Sequence, residues 1–164
     1  MGLLVVGSIG LDNIETPFDK IENALGGSTT YIALAASYFT GPVNIVGVVG
    51  NDFNREHIQM LESHNIDLEG LKIVEGAKTF RYGCRYHYDL NVRDSLFTHL
   101  NVFEKFDPLI PDNSKKCSCV VLGNIAPALQ ISVLNQLQNP KFIVCDTMNF
   151  WIDGTREDLL EVLK

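Results

Sequence analysis

The sequence has no long apolar run. None of its 164 residues fall in a stretch near the roughly 20 apolar residues a membrane-crossing helix needs. Positive charge is also scarce: 13 Lys and Arg stand against 20 Asp and Glu, for a net charge of -7. That balance argues against a general binder of nucleic acid or anionic membrane, leaving room only for a local basic patch. The opening MGLLVVGSIG has no basic n-region and no small-residue cleavage site, so it reads as a first buried strand rather than a signal peptide. Val6 stands where a myristoylation signal needs Ser or Thr. Of the four cysteines only Cys117 and Cys119 are close, and one-residue spacing without a nearby His makes a poor zinc site. Cys84, Cys117, Cys119 and Cys145 are expected as reduced thiols of a cytoplasmic protein, with Cys145 inside a buried strand, FIVCD. The four histidines are scattered, without Ser-His-Asp or H-E-x-x-H spacing. No G-x-G-x-x-G fingerprint occurs, which disfavours a dinucleotide binder.

What is present is an ordinary globular composition, 46% hydrophobic and 20% charged, on a chain long enough for one domain with a core. Strand and helix patterns alternate. LLVVGSI is a near-continuous apolar run, as in a strand covered on both faces. A helix follows in STTYIALAASYF, with Tyr31, Leu34, Ala35 and Tyr38 at helical spacing, ended by Gly41-Pro42. VNIVGVVG is a second strand. NDFNREHIQMLESHNI is an amphipathic helix with Phe53, Ile58 and Leu61 inward, and LKIVE is a third strand. CSCVVLGNI, PALQISVLNQLQ, KFIVCDT and TREDLLEVLK then read as strand, helix, strand and helix. This order predicts a parallel sheet with helices on both faces, a three-layer α-β-α fold. The last helix carries no Gly, Asn or Pro stop signal, so the chain is expected to continue past Lys164.

The segment from Ala77 to Val102 breaks the alternation. Phe80, Tyr82, Cys84, Tyr86 and Tyr88 fall on one face of a strand pattern, and Thr79, Arg81, Gly83, Arg85 and His87 on the other. An antiparallel ribbon inserted in the sheet is expected. Its aromatic face must pack on the core, on a second copy in a homodimer, or over a ligand.

Five short stretches can carry chemistry. In VGSIGLDNI, Asp12 lies just past a strand, where ligands sit in open α/β sheets and a carboxylate can accept from two hydroxyls. In LGGSTTY, Gly26 and Gly27 open a helix and would point backbone N–H groups at a ligand, with Ser28 among three hydroxyls. The alternative is a tight turn with a Ser or Thr cap. No Lys follows the glycines, so neutral hydroxyl recognition suits them better than a phosphate cradle. In VVGNDF, Asp52 reads as the cap of the next helix. In LGNIAP, Asn124 is polar at a strand end. In CDTMNFW, Asp146 and Asn149 could hold a water or Mg2+ after a strand, or serve as caps. All five would lie along one edge of one sheet.

Taken in order, VVGSIGLDNI, GGSTTYIALAASYF and VNIVGVVGNDF resemble the N-terminal half of the ribokinase-like carbohydrate kinases, the PfkB family, which includes adenosine kinase. KTFRYGCRYHYDLN, LNVFEKF, LGNIAPALQ and DTMNFWI resemble one subgroup of its sugar or nucleoside kinases. The resemblance implies residues 1–164 as the N-terminal portion of a ribokinase-like domain, with lid segments at about 13–25 and 77–102. It implies that Asp12 binds substrate hydroxyls, that Gly26 and Gly27 border the sugar pocket, and that Phe80, Tyr82 and Tyr86 belong to a lid over the substrate. Such lids often mediate dimers. Tyr31 stands where ribokinase has Asn, which sets a ribose-specific pocket in doubt. The family's Asp-Thr-x-Gly-Ala-Gly-Asp signature, with its anion hole and base, is not in this stretch; Asp146-Thr147 is followed by MNFW. The resemblance therefore implies the acceptor side of an ATP- and Mg2+-dependent kinase, inactive alone and with no catalytic base among these residues. The alternative is a non-catalytic short module that binds sugar or dimerises.

Overall fold

The computed structural model describes residues 2–164. In chain order the elements are β1 (Leu3–Val6), β2 (Gly10–Glu15), β3 (Lys20–Gly26), α1 (Ser28–Ser37), β4 (Val43–Gly50), α2 (Arg55–Ser63), β5 (Ile66–Val74), β6 (Phe80–Tyr86) and β7 (Arg93–His99). After two 3-10 turns come β8 (Cys119–Leu122), α3 (Pro127–Leu134), β9 (Phe142–Cys145), α4 (Asn149–Gly154) and α5 (Arg156–Val162). Five strands form a parallel sheet in the order β5-β4-β1-β8-β9. β1 is covered on both faces, as its unbroken apolar run predicts. Leu4 and Val6 join Val46, Val48, Val120, Leu122 and Val133 of α3 on one side. Val5 joins Val43, Ile45, Val49, Ala33 of α1 and Leu61 of α2 on the other. Each such fully buried aliphatic side chain contributes about 2 kcal/mol. The three-layer α/β expectation holds.

Two helices differ from their sequence reading in detail. α1 buries Thr29, Thr30 and Ala33, while Tyr31 and Tyr38 are 59% and 75% exposed. Small residues let α1 approach the strand ends closely, and Thr30 Oγ1 satisfies itself on the Gly26 carbonyl at 2.9 Å. α2 is capped by Asn54, whose Oδ1 accepts from the Glu56 amide at 3.0 Å, and not by Asp52. β9 also departs from expectation. It is the last strand of the sheet, and Phe142, Ile143 and Val144 are 61%, 42% and 39% exposed rather than buried.

The expected ribbon forms, but as part of a second sheet, in the order β3-β2-β6-β7, rather than as an insertion in the first. β6 and β7 pair antiparallel, as do β2 and β3, while β2 and β6 run parallel. Tyr88 lies in the turn beyond β6, edge-on to Phe18 at 5.9 Å between ring centres. The basic face is neutralised: Arg81 pairs with Asp52 at 3.3 Å and Arg85 with Glu15 at 2.8 Å.

Asp52 joins the two sheets. Its Oδ1 accepts from the Thr79 amide and the Thr79 hydroxyl, both at 2.7 Å. Thr79 Oγ1 in turn accepts from the Gly50 amide at 3.0 Å. Burial pushes the Asp52 carboxyl up, but the two Thr79 donors and Arg81 outweigh it and hold the pKa below 3.8. A depressed acid stabilises the fold above its unfolded pKa, and that contribution is lost as pH falls through the folded value. Asp52→Ala is therefore expected to cost about 2 kcal/mol in urea unfolding at pH 7. The difference from wild type should shrink below about pH 4. A loss of equal size at pH 7 and pH 3 would show that the charge is not the source.

Candidate substrate site

The paired glycines and the hydroxyls after them have a structural explanation. α1 starts with its first turn driven against the ends of β1 and β8. Ser8, just past β1, accepts from the Ser28 amide on its hydroxyl at 3.1 Å and from the Thr29 amide on its carbonyl at 3.0 Å. The Ser8 and Ser28 hydroxyls are 3.2 Å apart. Gly7 and Gly123 make the space: a Cβ on either would lie 2.7 or 2.6 Å from Ser28 Oγ. Gly27 turns the chain into the helix at φ 96 and ψ 146. The Ser28 and Thr29 amides are thus held by Ser8, not presented to a ligand as expected.

Gly26 has a different role. A Cβ there would occupy the place of the Asp12 carboxylate. Asp12 lies within β2, in the second sheet, rather than in the loop after β1. It is half-buried, and among the described residues its carboxylate has no hydrogen-bond or ion-pair partner. Burial raises its pKa, and the positive charge of Arg93 pulls it part of the way back. Asp12 sits opposite Tyr82 on β6. The Tyr82 hydroxyl accepts from Arg93 Nη1 at 2.9 Å and lies 2.7 Å from Ser95 Oγ, to which it can donate. The Arg93 guanidinium stands over the Tyr82 ring, 5.4 Å from its centre. Cys84 and Tyr86 continue this face along β6; Cys84 is buried, which pushes its thiol up.

The other sequence candidates lie apart from Asp12. Phe80 shares its face, but its ring covers Gly10 and packs on Phe103 at 5.5 Å. Asn124 Oδ1 accepts from the Trp151 indole at 2.8 Å. Asp146 follows β9 with its carboxylate in solvent. Its backbone carbonyl, like that of Gly123, accepts from buried Gln130 at 3.0 Å, which ties the ends of β8 and β9. Tyr31 reaches the Leu25 carbonyl at 3.2 Å, at the rim of β3. Ser8, Arg93 and Ser95 were not legible as site residues. Arg93 and Ser95 share the Asp12 face because Leu96 is an extra residue in β7: Gly83 pairs with Phe97 but Cys84 with Ser95.

A cavity of about 610 Å³ opens between β4–β5 and the turn at Asn101–Lys105, and none of the Asp12-face residues line it. No group of three His, Cys, Asp or Glu among the described residues could hold a metal ion. With the α1 amides taken by Ser8 and Asp146 standing alone, these residues do not fit a nucleotide phosphate or its Mg2+.

A model of the pfkB family carbohydrate kinases matches residues 5–120. The chain belongs to that family. Cytidine kinase of Thermococcus kodakarensis is 27% identical over 145 residues, 88% of this chain and 51% of the relative. The nucleoside kinase of Methanocaldococcus jannaschii, an archaeal member of the ribokinase family, superimposes with a TM-score of 0.73 at 17% identity. The match covers 99% of this chain and 57% of that one. Burkholderia thailandensis nucleoside kinase, solved with inosine, gives 0.63 at 13% identity over 82% and 58%. This pfkB-family chain spans about half the length of the curated relative it matches. Its fold is that of the ribokinase-like kinases.

Proposed function

We propose that this chain forms the acceptor-substrate side of a kinase that phosphorylates a hydroxymethyl group of a nucleoside or sugar. The observation that carries the reading is Asp12: a half-buried carboxylate on the face of the second sheet, pressed against a glycine, with its acceptor sites unused. A carboxylate in that state is built to accept from two ligand hydroxyls, and Gly26, lacking a Cβ, leaves it the room to stand there. The second sheet, with lid segments at about 13–25 and 77–102, would cover the substrate there. The relatives with nucleoside activity favour a nucleoside over a plain sugar.

Phosphoryl transfer also needs a donor site, charge stabilisation and a positioned base. In this reading all three lie outside these residues. ATP with Mg2+ supplies the transferred group, and this chain's residues bind and orient the acceptor. A coupled ATP-turnover assay of the 164-residue chain with cytidine, inosine and ribose is expected to show no substrate-dependent rate above background. Robust substrate-dependent turnover would overturn the acceptor-only reading.

A further inference from the structure

The charges of the second sheet are nearly all paired. Arg81 meets Asp52, Arg85 and Lys20 meet Glu15, and His87 meets Asp94 at 2.9 Å. Two groups on the Asp12 face are exceptions. Among the described residues, Asp12 has no cation within 4.0 Å and Arg93 has no carboxylate within 4.0 Å, yet Arg93 is near enough to act on the charge of Asp12. The fold brings a carboxylate and a guanidinium to one face and keeps them from closing. Arg93 is held back by its hydrogen bond to Tyr82 and its place over that ring.

We propose that Asp12 and Arg93 are the two poles of one ligand site, which takes a neutral nucleoside in preference to a free sugar. This rests on the acceptor-side reading above. An ionised carboxylate only accepts hydrogen bonds and a guanidinium only donates them. The ligand between them must offer donors at one end and acceptors at the other. A ribose diol provides the first. The ring carbonyl and ring nitrogens of a base provide the second. The flat guanidinium, steadied by an aromatic ring, also gives a planar base a surface to stack on. A free sugar carries hydroxyls all round and gains nothing specific at Arg93. An anionic sugar would have to approach the unpaired Asp12 on a chain of net charge -7. Arg93 and Tyr82 thus set specificity, and Asp12 sets binding as such.

The test is an amide chemical-shift titration of the whole chain with cytidine, inosine, ribose and gluconate. Wild type should bind the nucleosides about tenfold more tightly than ribose. Arg93→Met should remove that preference, weakening the nucleosides about tenfold and ribose by less than about twofold. Arg93→Lys should restore only part of it, because an ammonium has no flat fork. Asp12→Asn should weaken every ligand together. Arg93 is exposed, so its variants should keep the wild-type far-ultraviolet circular dichroism spectrum. Equal loss of ribose and nucleoside in Arg93→Met would overturn the two-pole site but leave the acceptor-side reading standing. So would gluconate binding most tightly through Arg93. No effect of Asp12→Asn, or no shift with any ligand, would overturn both.

Discussion

Gly27→Ala is expected to lose about 3 kcal/mol or more of stability, enough to leave much of the chain unfolded. Two effects add. The backbone at φ 96 and ψ 146 is open to glycine and strained for any L side chain. A Cβ there would also strike the Ser8 carbonyl oxygen and lie 2.7 Å from Ile9 Cα, both backbone atoms between two strands that cannot step aside. Gly76 separates the two terms. It has φ 71 but nothing within 4 Å of where a Cβ would stand. Gly76→Ala should therefore cost only the strain, about 1 to 2 kcal/mol. Urea unfolding of both variants checks this; equal losses would mean that the Ser8 contact carries no weight.

Asp12→Asn should produce two effects of opposite sign. Ligand affinity should fall at least about tenfold, since hydrogen bonds to a charged acceptor are lost. Stability should rise. The Asp12 pKa is raised from 3.8 by burial, so the folded chain binds more protons than the unfolded chain between 3.8 and that raised value. Stability then falls as pH rises through that window, and the penalty is fully present at pH 7. Asparagine removes it. Because Asp12 is partly solvated, the gain should stay under about 1 kcal/mol. Thermal midpoints at pH 7 and at pH 3 measure it: the variant should melt higher at pH 7 and match wild type at pH 3. A variant less stable than wild type at pH 7 would mean that the carboxylate is a structural partner and not a group held ready for a ligand.

The sequence made the central sheet legible because β1 and β4 are buried on both faces, and such strands read as unbroken apolar runs. It also marked the di-glycine as unusual. The reasons for the two glycines were out of reach, since each depends on a residue distant in the chain. Gly26 is required by Asp12, and Gly27 and Ser28 by Ser8, which is 20 positions before Ser28. Arg93 was hidden for another reason. Strict alternation along β7 would place Arg93, Ser95 and Phe97 together, and only the extra residue Leu96 moves Phe97 to the other face. For β9, local pattern was the wrong guide. FIVC looks like a strand covered on both faces, and among the described residues it pairs only with β8 and Phe142, Ile143 and Val144 stay exposed.

The way Ser8 seizes the first turn of α1 bears on how that helix opens. First-turn amides have no carbonyl within their own helix, and helix ends fray ahead of the rest of a fold. Here the Ser28 and Thr29 amides are bonded to a residue that continues directly from the central strand β1. Their exchange with heavy water should track the slow exchange of Val5 and Val6 rather than that of the later turns of α1. The helix would then loosen from Tyr38 backwards, keeping its glycine-bordered start in place until the sheet itself lets go.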